Sequence, residues 1–452
     1  MKKSLLVLTS FLFALSVMGQ VTFEKTYNIG ISAISGFVAS QDDGYLMAMI
    51  TLRPDDHYLT FVKTDLNGDS LWIKDYYIGH VINETLTGVE DEEGNIYILP
   101  NSEVTDVMKF DEDANMIWGK KYTCRKRRLA VKDNILWVTG DQGTGNYLFK
   151  IDAGTGDSLW RSELFNEISY YSSSVATSVA VLENNDVIVT ASQTNFQGLM
   201  LPSSFYRLPA DSNEMVQFNL STNELFVVSD TKALGNEIIS VANVSPYPSG
   251  QSYSYFLRYT SDGTINNITK ENLGYPTILI YKCIITNENQ VVESGQIFTG
   301  PGTGNVILHC LSMDGDSLWT HLYGNRQTNP WDLILAGDNG FVLTGGMETV
   351  YDQYKPYLLK TDMMGLLTGL KKIGDNTDIV VYPNPAVDEV FFLTPGIQKG
   401  TITIFDSKGR ICTELPIQGE QTSWPCTFFP KGLYLYRIEY GGEISTGKLV
   451  VD

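Results

Sequence analysis

An all-β fold is what this sequence predicts, and three observations carry the expectation. First, a polar turn leading into a strand recurs seven times. The clearest copies are Asp65-Leu-Asn-Gly68-Asp-Ser-Leu71-Trp72, Asp111-Glu-Asp-Ala-Asn-Met-Ile117-Trp118, Asp152-Ala-Gly-Thr-Gly156-Asp-Ser-Leu159-Trp160 and Asp314-Gly315-Asp-Ser-Leu318-Trp319. Weaker copies begin at Asp211, Asp262 and Asp362. Second, another polar turn precedes each copy, at 41–44, 91–95, 132–134, 183–186, 234–236, 286–289 and 337–340. Third, the segments between turns alternate apolar and polar residues with period two, and no helical period intervenes.

Two hairpins per unit make four short strands. In the first unit these are Phe37–Ser40, Tyr45–Ile50, Tyr58–Thr64 and Ser70–Tyr77. The units, about 42 to 56 residues long, match the size of a four-stranded propeller blade. One such sheet cannot cover both of its faces, whereas seven arranged radially cover one another and leave only short edges. The expectation is a seven-bladed β-propeller over residues 21–373. In such a ring the recurring Trp past the turn packs between blades. The segment Thr22-Phe-Glu-Lys25-Thr-Tyr27 resembles the fourth strands Leu71-Trp-Ile-Lys74-Asp-Tyr76 and Ile117-Trp-Gly-Lys120-Lys-Tyr122. With Leu366–Ile373 that gives eight fourth-strand segments for seven inner hairpins. The N-terminal strand is therefore predicted to dock on the last blade and close the ring.

Past a linker at 374–378 the pattern changes. Val380-Val-Tyr382-Pro383-Asn384-Pro385-Ala-Val-Asp388 is held extended by its two prolines. Two alternating strands follow, Gly400-Thr-Ile-Thr-Ile-Phe405-Asp406-Ser-Lys-Gly409-Arg and Phe429-Pro430-Lys431-Gly432-Leu-Tyr434-Leu-Tyr436-Arg-Ile438, and the chain closes on Gly447-Lys448-Leu-Val-Val-Asp452. Period-two strands between turn residues predict a small immunoglobulin-like β-sandwich over 379–452. Together these motifs resemble the type A C-terminal sorting domain of proteins exported by the type IX secretion system. The resemblance implies that Tyr382, Pro383, Asn384, Pro385, Gly409, Gly432, Tyr434 and Lys448 belong to the sorting signal. It also implies the outer-membrane translocon and its sortase as partners, with the domain often removed near 374–378 while the cargo is joined to surface lipopolysaccharide. Cys412 and Cys426 lie outside the family pattern and are a candidate disulfide between neighbouring strands.

The N-terminus agrees with export. Lys2-Lys3, the apolar run Leu5–Val17 and the exit Met18-Gly19-Gln20 read as a cleaved signal peptide over 1–20. The absence of a cysteine near that exit argues against a lipoprotein, and nothing downstream reaches transmembrane length. Both ends predict passage through the periplasm to a secreted or cell-surface location on the extracellular face of a Gram-negative outer membrane. With 43% hydrophobic and 12% aromatic residues the mature chain can build a large core. Losing Lys2 and Lys3 takes the formal charge from −20 to −22. So acidic a surface excludes nucleic acid as a partner, since phosphate binding needs concentrated Lys and Arg. The basic run Arg125–Arg128 reads as a solvated loop or a small anion-binding patch. Cys124, Cys283 and Cys310 sit in apolar strand contexts and read as buried thiols.

The catalytic inventory is short. Asp65, Asn67 and Asp69 alternate like calcium ligands, but no bidentate Glu stands where a full loop needs one. The simpler reading is a tight turn in which Asp and Asn bond to their own backbone and Gly takes positive φ. The turns also lack sialidase Asp-box spacing. No two of His57, His80, His309 and His321 have metal-ligand spacing, and no hydrolase motif is present. His309, on an apolar strand, reads as a satisfied core residue. No nucleotide loop or cofactor fingerprint appears, so no cofactor is expected. Asp69-Ser70-Leu71, Asp157-Ser158-Leu159 and Asp316-Ser317-Leu318 resemble the O-glycosylation acceptor motif of bacteria that use type IX secretion, which marks Ser70, Ser158 and Ser317.

These readings point to a secreted or surface-attached binding or scaffolding propeller, with a glycan or protein as ligand. The loop Tyr247–Tyr253 and the stretch Asn195–Ser204 are candidate contact regions. The alternative is a carbohydrate-active hydrolase or lyase, which predicts perturbed carboxylates clustered at one mouth of the channel. A purely structural surface protein is a third option.

Overall fold

In a computed structural model the chain divides into two compact units, Met1–Thr368 and Gly369–Asp452. The structure describes residues 20–367 and 380–451 except 30–31, 54–55, 82–85, 101, 103–104, 123–124, 143–144, 167–172, 195–202, 223–225, 245–251, 276, 301–302, 325–326, 351–352, 383–385, 395–396, 398, 407, 418, 420 and 441–442. The signal peptide up to residue 19, the linker 374–378, Pro383, Asn384, Pro385, Cys124 and most of both candidate contact loops lie outside the described residues. So does the proposed last strand beyond Leu367.

The described residues of the first unit form seven four-stranded antiparallel sheets. Each sheet is a meander in chain order, and we number them as blades 1 to 7. Their first strands are Ser32–Gln41, Thr87–Glu90, Arg125–Lys132, Ser173–Val181, Val227–Leu234, Thr277–Ile285 and Thr328–Leu335. Each first strand touches those of the blades on either side, and Thr328–Leu335 touches Ser32–Gln41, so the ring closes. The chain is thus a β-propeller with its first strands innermost. Blade 7 takes only three strands from its own stretch. Its outer strand is Phe23–Thr26, paired antiparallel with Gln353–Lys360. The N-terminal strand therefore closes the ring, as its likeness to the other fourth strands predicts.

Burial explains the sequence pattern. A middle strand is covered on both faces, and Gly44–Arg53 is buried over its first eight residues. An outer strand is covered on one side, and Ser70–Gly79 alternates between exposed and half-buried. The core consists of layers between blades. Leu46, Ile50, Leu59 and Phe61 of blade 1 pack on Ile96, Ile98 and Phe110 of blade 2, with Trp72 against them. Trp118, Trp160 and Trp319 fill the corresponding places of their own layers.

The turns are made by their own side chains. Asp65 Oδ1 accepts the amides of Asn67 at 2.9 Å and Asp69 at 2.8 Å, and the Gly68 amide returns to the Asp65 carbonyl. Asp91, Asp111 and Asp362 repeat the arrangement, with Ser312 Oγ in the same role in blade 6. The first carboxylate of these turns is thus engaged with its own backbone. Gly68 adopts φ 75°, the left-handed corner such a turn needs.

The second unit has two sheets. Val380–Tyr382, Glu389–Leu393 and Gln421–Pro425 form one; Ile411–Ile417, Gly400–Asp406, Gly432–Tyr440 and Glu443–Val451 form the other. Phe392 and Trp424 from the first meet Ile402, Ile404, Ile438 and Leu449 from the second in a shared core, which makes a sandwich. The expected Cys412–Cys426 pairing is corrected here: both are free thiols. Cys412 lies on Ile411–Ile417 and Cys426 follows Gln421–Pro425, strands of different sheets, so no ladder sets the two opposite one another. The basic run is corrected as well. Arg125–Arg128 opens the first strand of blade 3 instead of forming a loop.

Candidate functional site

At the centre of the ring, six first strands break register at the same level. The breaks fall between Ala33 and Ser35, Lys126 and Arg128, Ala176 and Ser178, Val228 and Asp230, Ile280 and Lys282, and Pro330 and Asp332. Each β-bulge re-aims the residue after it, and in every case that residue is polar. Four of these residues reach the next blade's backbone. Ser35 exchanges hydrogen bonds with Leu86, Arg128 Nε donates to Thr177 O, Asp230 accepts the Cys283 amide, and Asp332 accepts the Val38 amide. The last of these spans blades 7 and 1.

Lys232 and Lys282 balance the two aspartates. Lys232 Nζ lies 3.2 Å from Asp230, and Lys282 Nζ lies 3.7 Å from Asp332. Burial opposes ionisation of Asp230, but Lys232 and Lys282 outweigh it and hold the carboxyl below its usual range. Burial dominates at Asp332 and pushes its carboxyl up despite Lys282. Burial also works against the Lys232 ammonium, yet Asp230 outweighs it and the pKa rises. The Lys232 side chain stays 38% exposed.

Further out, the fourth strands join the blades by a second device. Tyr27, Tyr76, Tyr122 and Tyr323 each donate a hydroxyl to the corner carbonyl of the next blade's turn, at Gly68, Ala114, Gly156 and Gly365. Two residues earlier, Lys25 pairs with Asp69, Lys74 with Asp113 O and Asn115, and Lys120 with Asp157. The device is a Lys-x-Tyr rivet. It is complete in blades 7, 1 and 2; blade 6 keeps only Tyr323, and Ser162/Leu164, Phe218/Leu220 and Thr269/Glu271 occupy the two positions in blades 3, 4 and 5.

A cleft of about 330 Å³ opens between blades 3 and 4. Trp160, Trp137, Lys150 and Lys132 wall it from blade 3; Asn185 and the turn Pro209–Asn213 wall it from blade 4. The turn differs from the others, since Pro209 stands where they carry Asp, Thr or Ser. It is held by Asp186, which is 3% exposed and accepts the Ala210 amide at 2.9 Å and Arg207 Nε at 2.8 Å. Lys150 departs from four of its counterparts and resembles Lys109, whose ammonium lies 5.1 Å over the Tyr97 ring. Lys63, Arg207, Arg258 and Lys360, in the same register, each pair with a carboxylate of their own blade's first turn. Lys150 has no such pair among the described residues, and its ammonium lies 5.5 Å over the Trp137 ring.

A third group lies between blades 5 and 6. His309 is fully buried, with Nδ1 3.1 Å from Glu271 and 3.5 Å from Glu293, and Nε2 3.0 Å from Ser317 Oγ. His309 is a core residue, as expected, but it belongs to a Glu–His–Glu cluster drawn from both blades in which Nδ1 makes no well-aligned hydrogen bond among the described residues. Sequence reasoning gave no sign of that cluster. His57 and His80 do come together, with rings 5.0 Å apart.

The expected modification and sorting residues are placed as follows. Ser70, Ser158 and Ser317 are exposed at the starts of outer strands. Gly409 takes φ 78° in a turn capped by Asp406, which accepts the Lys408 and Arg410 amides. Gly432 opens a strand; Tyr434 is buried beside Trp424 and donates to Pro430 O. Tyr382 ends the first strand of the sandwich, and Lys448 is exposed.

Comparison with known proteins bears on both units. The family model of the secretion system C-terminal sorting domain matches residues 380–452. No curated protein matches the chain. Among solved structures, the β-propeller domain of the Trilobed protease from Pyrococcus furiosus is similar at 11% identity and TM-score 0.46, covering 76% of this chain and 100% of that one. The Dos1 propeller is similar at 13% identity and TM-score 0.46, over 75% and 94% of the two chains. A protein of unknown function from Dyadobacter fermentans is similar at 10% and 0.44, over 75% and 97%. Among the described residues no helix is long and apolar enough to cross a membrane. With the sorting domain matched at one end and the ring of four-stranded sheets ahead of it, the chain is a cargo of type IX secretion that carries a β-propeller.

Proposed function

We propose that this protein is a binding or scaffolding propeller displayed outside the cell. The observation that carries the reading is the cleft between blades 3 and 4, where the Lys-x-Tyr rivet is absent and indole, amide and charged walls face one another. Deeply anchored turns around an accessible cleft are what a binding module needs, because a preorganised site loses little entropy on association. The test is retention of the full mature protein on a panel of host and dietary polysaccharides and surface proteins. Binding to none of them would remove the reading.

The destination belongs to the same proposal. Residues 1–20 direct passage into the periplasm, and 379–452 engage the translocon and its sortase. Cleavage near 374–378 then leaves the propeller, residues 21–373, on the cell surface or free. Deleting 380–452 should trap the protein in the periplasm; its appearance outside the cell would contradict this.

A second reading has one observation in its favour. Asp230 and Asp332 at the ring's centre are driven in opposite directions, the pattern of an acid and a base. Both, however, accept a backbone amide of the next blade, which is the geometry of a staple. Sugar release from a polysaccharide, lost in Asp332→Asn, would promote the enzyme reading.

A further inference from the structure

We propose that the cleft between blades 3 and 4 is a saccharide site, in which one pyranose unit of a glycan lies against Trp160. This deepens the binding reading and rests on it. A pyranose ring presents apolar C–H faces and a rim of hydroxyls, so it calls for an aromatic plate beside paired donors and acceptors. The cleft offers both. Trp160 is half-buried, its ring lodged in the interblade layer with Ile135, Val181 and Met215. The rim carries Asn185, Asp211, Ser212 and Asn213, all at least partly exposed. Amide and carboxylate groups so arranged can donate to and accept from adjacent hydroxyls.

Two features separate this place from the riveted interfaces. In blade 2 the counterpart of Trp160, Trp118, donates its indole N–H to Ala153 O of the blade 3 turn, and Lys120 and Tyr122 of blade 2 seal the layer beside it. Beside Trp160 stand Ser162 and Leu164, which have neither the length nor the hydroxyl to do so. The facing turn is also fixed from behind. Asp186 binds Arg207 and the Ala210 amide, and Ser212 returns its amide to Pro209 O and its hydroxyl oxygen to the Glu214 amide. The wall is therefore formed before any ligand arrives, and its side chains need not be ordered on binding. Lys132 helps to fix the gap by donating to Leu182 O and Glu183 O of blade 4. The proposal commits to a saccharide because the lining sets an indole beside amide, hydroxyl and carboxylate groups, the pairing that a sugar's C–H face and hydroxyl rim call for.

The test is titration of the intact mature protein with oligosaccharides, neutral (cello-, xylo-, manno- and malto-hexaose) and acidic (oligogalacturonate, chondroitin hexasaccharide), read by tryptophan fluorescence and calorimetry. Two variants accompany it. Trp160→Ala removes the plate. Asp211→Arg, on an exposed turn, fills the notch without touching the core, so it stays informative if the first variant does not fold. The expected result is saturable binding of at least one probe, weakened about tenfold or more in both variants, as loss of a central aromatic anchor gives. Binding that survives Asp211→Arg unchanged overturns the site while leaving a binding propeller in place. Failure of every oligosaccharide, with retention of the protein on a surface protein, overturns the saccharide but keeps the binding reading; failure of both removes the two together.

Discussion

The hydroxyl of Tyr27 donates to the carbonyl of Gly68 at 2.7 Å, and this bond joins blade 7 to blade 1. Tyr27 directly follows the strand Phe23–Thr26, which the N-terminus contributes to the last blade, so the bond lies where the ring would otherwise open. Tyr27→Phe should leave a buried carbonyl without its donor and cost about 1–3 kcal/mol. Tyr122→Phe breaks the same bond at an interior interface, to Gly156, and should cost a similar amount. Amide exchange separates the two. Protection at residues 23–26 should fall in Tyr27→Phe alone, and equal exchange in both variants would show that the N-terminal strand is not the closing element.

The corner of the turn that leads into each fourth strand gives a paired test. Gly68 and Ala114 hold equivalent positions, and both adopt positive φ, 75° and 55°. A Cβ on Gly68 would lie 2.5 Å from the Phe23 ring, so Gly68→Ala combines left-handed strain with a clash in the closing strand. Ala114 already carries that strain, and Ala114→Gly should stabilise by about 0.5–1 kcal/mol. Thermal unfolding should move in opposite directions for the two substitutions. A lower melting temperature for Ala114→Gly would contradict the strain argument.

Much of this fold is legible in the sequence because its turns are local. Asp65, Asn67 and Gly68 fix a corner within a few residues, and seven such corners in register with seven others define the blades. The closing strand is legible for the same reason, since Lys25 and Tyr27 repeat Lys74 and Tyr76. What those residues bind is not legible, because their partners belong to the next blade and no period encodes radial packing. The cleft shows in sequence only as a substitution, Ser162 and Leu164 where a Lys and a Tyr are expected. The ring of Ser35, Arg128, Ser178, Asp230, Lys282 and Asp332 does leave a trace, one polar residue at blade spacing in six of the seven inner strands. Arg125–Arg128 misleads because four basic residues break the apolar alternation, while the backbone there still pairs as a strand. The cluster of Glu271, Glu293 and His309 comes from three strands of two blades, and only folding brings it together.

The three serines expected to carry sugars are not equivalent. Ser70 and Ser158 are exposed, whereas Ser317 Oγ is 3.0 Å from Nε2 of the buried His309. Attaching a sugar at Ser317 would disturb that contact and pull on a histidine with no exposure. Peptide mapping of the secreted protein should find modification at Ser70 and Ser158 in preference to Ser317. Equal occupancy at all three would show that the His309 contact offers no protection, and an unmodified intact mass would dismiss the acceptor reading.

The cluster at His309 predicts a pH dependence with a definite sign. Burial pushes the Glu271 carboxyl from its ordinary 4.5 up to about 7; the His309 charge pulls it down and Glu293 pushes it up. Burial would lower the His309 pKa, but Glu293 and Glu271 outweigh it, and the net shift is upward. A carboxyl that holds its proton more tightly in the folded state gives its full stabilisation below the unfolded value. That stabilisation is lost as pH rises through the folded value. The raised His309 acts in the same direction, because its stabilisation is complete below its unfolded value and fades above its folded one. Between pH 5 and pH 8 the propeller should therefore lose stability, on the order of 1–3 kcal/mol from this cluster. Glu271→Gln keeps the shape and removes the titration, so its melting temperature should fall less over that interval. If the two proteins lose the same number of degrees between pH 5 and pH 8, Glu271 binds no more protons in the folded than in the unfolded state over that range, and the carboxyl does not set the pH response.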